Sequence, residues 1–86
     1  MNRLRKFIDE NELSFDYGNR NSTVTIIIGF SQHLGLDLED VETELEKEID
    51  DDYFIQEELD RLWQYCANRN YKNYWSTPEA KNKYKF

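Results

Sequence analysis

Carboxylates are the side chains whose number and spacing in this sequence most strongly suggest a function. Residues 37–60 hold thirteen of the eighteen Asp and Glu residues and a single cation, Lys47. Pairs such as Glu42 and Glu46 place like charges four residues apart, which disfavours a helix by about 0.2–0.5 kcal/mol per pair. The run is either a solvated helix face or a surface that presents negative charge to a basic partner, as a nucleic-acid backbone does. The residues expected to contact such a partner are Glu39, Glu42, Glu46, Asp50, Asp51 and Asp52.

The other reactive side chains form no catalytic or metal-binding pattern. His33 is the only histidine and falls in a predicted loop, with no nucleophile and acid that would complete a triad. Cys66 lies on an apolar helical stripe, which favours a buried structural thiol over a nucleophile. The run Asp50–Asp52 lacks the spacing and central glycine of an EF-hand, and the three glycines are too dispersed for a phosphate loop. We therefore predict no enzymatic activity, no cofactor and no metal site.

The charge is unevenly distributed along the chain. The net charge is −7, yet residues 1–36 are neutral, residues 37–60 carry −12 and residues 61–86 carry +5. The basic C-terminal third interleaves cations with aromatic rings, a composition that single-stranded nucleic-acid binding uses. Rings in a small domain more often belong to the core, and the basic third could also dock on the acidic stretch, within the chain or across a dimer. The residues concerned are Arg69, Tyr71, Lys72, Tyr74, Trp75, Lys81, Lys83, Tyr84, Lys85 and Phe86.

Hydrophobic periodicity predicts a helix followed by a hairpin in the first third of the chain. Leu4, Phe7 and Ile8 recur at helical spacing within residues 2–12. Residues 13–17 and 22–30 then alternate or are rich in β-branched side chains, and the turn-forming residues 18–21 separate them. Val24, Ile26, Ile28 and Phe30 would share one face of the second strand. Free edges of such a hairpin would allow a homodimer.

The acidic and basic parts are predicted to be helical. Apolar stripes continue from residue 38 to residue 69 with Asp37 as the N-cap, but one helix of about 48 Å would exceed a domain of this size. A break near Asp50–Asp52 is therefore expected. The segment Ser76–Glu79 predicts the start of a final short helix, because it combines a capping-box spacing with a proline in the first turn. The predicted fold class is α+β: an N-terminal helix, one β-hairpin, and two to three C-terminal helices packed on it.

Length and composition limit the class of protein. Eighty-six residues predict a single domain, 1–86. The longest apolar run, residues 24–30, is too short to span a membrane, and the acids after residue 8 exclude the apolar region of a signal peptide. A single cysteine fits a reducing compartment. We expect a cytoplasmic protein without membrane contact.

Small size, acidity and a composition typical of a low-GC bacterium or its phage make the chain resemble phage-encoded anti-CRISPR and anti-restriction inhibitors. This resemblance concerns the type of protein and includes no shared motif. It implies a DNA-mimic-like inhibitor in the host cytoplasm whose acidic helix occupies the basic surface of a defence nuclease or its nucleic-acid complex. The alternatives are a small nucleic-acid-associated protein that binds through its basic aromatic C-terminus, and a structural or assembly protein of a phage.

Overall fold

Helices form all the regular structure of residues 2–86, the part of the chain that this computed structural model describes. The α-helices are α1 (Arg3–Glu10), α2 (Arg20–Leu34), α3 (Leu38–Leu45), α4 (Leu59–Asn68) and α5 (Pro78–Lys83). A π-helical segment, Phe54–Glu58, leads into α4, and a 3₁₀ helix, Tyr71–Ser76, follows it. Within these residues there is no strand, so the predicted α+β fold with a β-hairpin is wrong. The proposed dimerisation through a hairpin edge consequently has no structural basis.

The predicted second strand is the centre of helix α2. Val24, Ile27 and Ile28 are all fully buried, although an alternating strand would have placed Ile27 on the opposite face. Helix α2 contacts α1, α3, α4 and the 3₁₀ helix, so it is surrounded on most sides. A helix that is apolar all round shows no clear helical period, and burial of this kind outweighs the β-propensity of Val and Ile.

The C-terminal end of α2 is defined by a glycine motif that the sequence interpretation assigned to a loop. Gly35 has a φ of 80°, the left-handed conformation that glycine adopts without strain. The Gly35 amide donates to the carbonyl of Gln32 (3.2 Å), and the Leu36 amide donates to that of Ser31 (3.0 Å). These two hydrogen bonds form a Schellman motif, so His33 belongs to the last turn of a helix rather than to a loop.

Residues 13–17, predicted as the first strand, form an irregular connection between α1 and α2. Leu13 and Phe15 are half-buried against the core. The hydroxyl of Thr23 donates to the carbonyl of Ser14 (2.5 Å), which fixes the connection to the start of α2. The alternating pattern thus reflects a loop that inserts two apolar side chains.

The helical predictions outside α2 are confirmed where capping chemistry supported them. Asp37 caps α3 in a capping box with Asp40. Helix α5 begins at Pro78, within the predicted segment, but its N-cap is Thr77 rather than Ser76, and the Thr77 hydroxyl accepts from the amide of Ala80. The expected break is also present, because α3 ends at Leu45 and the helical conformation resumes only at Asp52.

The core is centred on aromatic rings contributed by three distant parts of the chain. The rings of Phe7 and Phe30 stack at 4.0 Å, and Trp75 packs edge-on against both at 5.3 Å. A Cβ atom on Gly29 would lie 3.1 Å from the indole nitrogen of Trp75, so the absence of a side chain there permits this close approach. Trp75 is buried and Tyr84 is half-buried beside it, so these two rings of the basic C-terminal third belong to the core, whereas Phe86 is 44% exposed.

Candidate protein-interaction surface

Some carboxylates of residues 37–60 are used by the fold itself. Asp37 and Asp40 satisfy each other's backbone amides at the start of α3. Glu44 is only 3% exposed and lies at the contact between α1 and α3. Its Oε1 accepts hydrogen bonds from Nδ2 of the Asn2 side chain (2.6 Å) and from Lys47 Nζ (3.2 Å). These groups have structural roles that explain their presence without a partner.

Arg5 of α1 forms ion pairs with Glu44 and with Glu48, which lies in the turn after α3. Its guanidinium lies 3.1 Å from Glu48, 2.9 Å from Asp9 and 3.7 Å from Glu44 Oε2. Partial burial lowers the pKa of Arg5, but the hydrogen bonds and charges of Asp9 and Glu48 outweigh it and leave the pKa above its usual value. Arg5 is therefore a permanent cation that ties α1 to α3 and the turn after it.

Asp51 also has a structural role. Its Oδ1 accepts from the amide of Phe54 (3.1 Å), and its Oδ2 lies 3.3 Å from Arg20 Nη1. Because a new helical segment begins at Asp52, the acids at 50–52 lie near the positive end of a helix dipole.

The remaining predicted contact residues form no ion pair with any residue of 2–86. Four of them line one shallow depression of about 280 Å³ between α3 and the segment leading into α4, together with Ile49, Ile55 and Gln56. Glu42 is half-buried and the others are exposed, and Glu39 lies one turn earlier on α3. We call this set the acidic surface: Glu39, Glu42, Glu46, Asp50 and Asp52.

The basic C-terminal third does not cover the acidic surface. Lys72, Lys81, Lys83 and Lys85 form no ion pair with the described residues. The 3₁₀ helix of this third packs on α2, α4 and α5 instead. The partial neutralisation of residues 37–60 comes from Arg5, Arg20, Lys47 and Arg61, and Arg61, the one member of the basic third among them, pairs with Glu58 three residues earlier rather than with the acidic surface. Within residues 2–86 the lysines of the tail therefore do not dock on this surface.

Two exposed tyrosines near the acidic surface were missed by the sequence interpretation. Tyr17 is 88% exposed and Tyr53 is 67% exposed. The guanidinium of Arg20 lies 5.4 Å from the ring of Tyr17 and also pairs with Asp51, while Tyr53 follows Asp52 directly. For Tyr53 the sequence signal was its position next to a carboxylate run, which a buried ring could share, and Tyr17 had no such signal.

Cys66 is a buried thiol, as predicted. Its Sγ donates weakly to the carbonyl of Thr25 (3.9 Å). Burial raises the pKa of Cys66 from 9.0 to about 11, although the charge of Arg69 lowers it slightly. No cluster of three or more His, Cys, Asp or Glu residues within 2–86 is arranged to hold a metal ion.

Thiol labelling of Cys66 is expected to be slow in the folded protein. At pH 8 the higher pKa alone reduces the thiolate population, and hence the rate, by roughly 100-fold relative to the unfolded chain. The measurement is the rate of reaction with a chromogenic disulfide in buffer and in concentrated urea. A native rate within tenfold of the unfolded rate would show that the thiol is accessible.

No helix among residues 2–86 has the length and apolar character that a membrane span requires. Comparisons of the chain with protein-family models, curated proteins and solved structures found no match.

Proposed function

We propose that this chain is an acidic binding module that inhibits a nucleic-acid-binding protein, such as a phage-encoded inhibitor of a host defence nuclease. Its acidic surface would occupy the basic groove that the target uses for DNA or RNA. The observation that carries the proposal is that the carboxylates of residues 37–60 fall into two groups, one paired within the fold and one unpaired. Those with a cation or backbone donor serve the fold, whereas Glu42, Glu46, Asp50 and Asp52 surround one depression without an ion pair to residues 2–86.

Electrostatics explains why such a surface would associate with a basic partner. Carboxylates gathered on one side of the domain repel one another, and opposite charges on a partner would remove that repulsion on binding. Association would be fast and would weaken as the salt concentration rises, because these groups are exposed and screened. Glu39 and Glu42 are held on α3 and Asp52 begins the next helical segment, while Glu46 and Asp50 lie in the turn between them.

The alternative of nucleic-acid binding through the C-terminal third receives less support. Stacking needs several accessible rings, but Trp75 is buried, Tyr71, Tyr74 and Tyr84 are half-buried against the core, and of the predicted rings Phe86 alone is exposed. The lysines of this third remain available as surface charges.

Charge reversal tests the proposal against this alternative. A variant with Glu42→Lys, Glu46→Lys and Asp50→Lys should no longer capture its partner, whereas the matched variant with Lys81→Glu, Lys83→Glu and Lys85→Glu should capture it normally. The measurement is affinity capture from a low-GC bacterial lysate over a salt series, with added DNA as competitor. We expect a basic nuclease that is released by high salt and by DNA.

Two results would contradict the proposal. One is direct binding of DNA or RNA by the wild-type protein at physiological salt. The other is capture that survives the reversal of Glu42, Glu46 and Asp50 but is lost in the lysine variant.

A further inference from the structure

Two cavities of a size that suits small molecules border helix α1. The larger, about 550 Å³, is lined largely by polar groups that the fold already uses, because Asn2 caps α1, Asp40 caps α3 and Glu44 is ion-paired. The smaller, about 380 Å³, lies between α1, α2 and residues 85–86. Small-molecule sites typically have volumes of about 300–1,000 Å³ and combine an apolar wall with a few polar groups. The smaller cavity has both features.

Three phenylalanine rings form the apolar wall of the smaller cavity. Phe7 and Phe30 are the stacked rings of the core, and Phe86 packs edge-on against them at 6.4 Å and 5.4 Å. Phe86 is 44% exposed, so part of its ring is open to a ligand. Aromatic rings favour edge-to-face and offset-stacked contacts, which the ring of a ligand would extend.

The wall that Phe86 provides is fixed in place by a side chain of the segment after α1. The Oδ1 atom of Asn11 accepts from the backbone amide of Lys85 (2.8 Å), and its Nδ2 atom donates to the backbone carbonyl of Lys85 (2.9 Å). Nδ2 also donates to the carbonyl of Phe7 (2.9 Å), which ties the same amide to α1. The cavity is therefore formed before a ligand enters, which reduces the entropic cost of binding.

Three cations line the same cavity, namely Arg3, Lys6 and Lys85. None of them forms an ion pair with a carboxylate of residues 2–86. Glu10 is the one acid in the lining, so three cations against one acid leave it with a net charge of +2. Cations without a carboxylate partner beside an apolar wall favour a ligand with an anionic group on an apolar body.

We propose that this cavity binds a small aromatic anion, such as an aromatic carboxylate. The ring of the ligand packs against Phe86, and its anionic group pairs with the ammonium groups of Lys6 and Lys85. The cavity shares no lining residue with the depression at the acidic surface, so this site is separate from the one proposed for a protein partner. The inference therefore does not depend on the proposed function.

Naphthoate and its uncharged analogue naphthylmethanol test this inference in a titration at low salt followed by the amide resonances of the protein. The wild type should bind naphthoate roughly fivefold more tightly, as expected for partly exposed charge pairs. The shifts should be largest in α1 and residues 84–86. The variant Lys6→Gln, Lys85→Gln should reduce the preference to below about twofold, since it removes the ammonium groups and leaves the backbone contacts of Asn11 intact.

Two further variants separate the parts of the site. Phe86→Ala should weaken both compounds by roughly threefold or more, because it removes the exposed part of the apolar wall. Lys81→Gln, Lys83→Gln is the matched control, since it removes the same charge from α5 outside the cavity and should retain the preference for naphthoate.

Three results would overturn the inference and leave the proposed function standing. The first is an absence of shifts at millimolar naphthoate, or shifts that lie outside α1 and residues 84–86. The second is equal affinity of the wild type for the charged and uncharged compounds. The third is an equal loss of preference in the two lysine variants, which would show that the anion responds only to the overall charge of the protein.

Discussion

Replacing Phe30 with alanine is expected to lower the free energy of unfolding by about 3–5 kcal/mol. Phe30 is 1% exposed, stacks on Phe7 of α1 and meets the edge of Trp75 from the 3₁₀ helix. Removal of the ring loses both aromatic contacts and leaves a cavity where three elements meet. A domain of this size has a total stability of about 4–13 kcal/mol, so the loss is a large fraction of it.

Urea denaturation followed by circular dichroism measures this effect. Phe30→Leu keeps most of the side-chain volume, so its free energy of unfolding should fall by less than that of the alanine variant. If Phe30→Ala is unfolded, the leucine variant still gives a measurable loss of stability. Tyr17→Ala is the surface control and should change stability by less than about 0.5 kcal/mol. A loss below about 1 kcal/mol for Phe30→Ala would show that the aromatic cluster is not the centre of the core.

Replacing Glu44 with alanine is expected to lower the free energy of unfolding by about 2–4 kcal/mol. Breaking a buried ion pair by removing one partner is strongly destabilising, at about 3–5 kcal/mol. The loss of stability in Glu44→Ala should be smaller than this, because the Arg5 guanidinium still pairs with Asp9 and Glu48. The amide of Asn2 loses its acceptor, and α1 loses its main polar link to α3.

Glu46→Ala is the matched control for this prediction. Glu46 lies two residues farther along and is exposed, so its replacement should leave stability unchanged or raise it slightly. A double-mutant cycle with Arg5→Met measures the coupling between the two sides of the ion pair, since residues in one network are not additive. Equal effects of Glu44→Ala and Glu46→Ala would contradict the structural role of Glu44.

The parts of the fold that could be predicted are those determined by local chemistry. Asp37 marks the start of α3, and the segment Ser76–Glu79 gives the start of α5 to within one residue, because a side-chain oxygen satisfies backbone amides only two or three residues away. The break before Asp52 followed from the length of chain that a small domain can hold. Helix α2 could not be recognised, because its environment on all sides is set by elements distant in sequence.

The sequence could predict that the candidate site lies within the acidic run, but not which carboxylates of that run are free to bind a partner. Which carboxylates the fold uses depends on Arg5 and Arg20, which reach Glu48 and Asp51 from much earlier in the chain. A single sequence does not indicate these pairings. Asp51 therefore entered the predicted contact set although it caps a helix and pairs with Arg20, and the exposed tyrosines were overlooked.

The central claim is that the acidic surface serves a partner rather than the fold. It is tested most directly by the stability of a variant in which all five carboxylates become amides. The substitutions are Glu39→Gln, Glu42→Gln, Glu46→Gln, Asp50→Asn and Asp52→Asn. We expect a free energy of unfolding in urea at low salt within about 1 kcal/mol of the wild-type value, since the removal of like-charge repulsion is offset by the loss of the favourable positions of Glu39, Asp50 and Asp52 near helix N-termini. A loss of about 2 kcal/mol or more, comparable with that of Glu44→Ala, would show that the fold needs these carboxylates and would contradict the account.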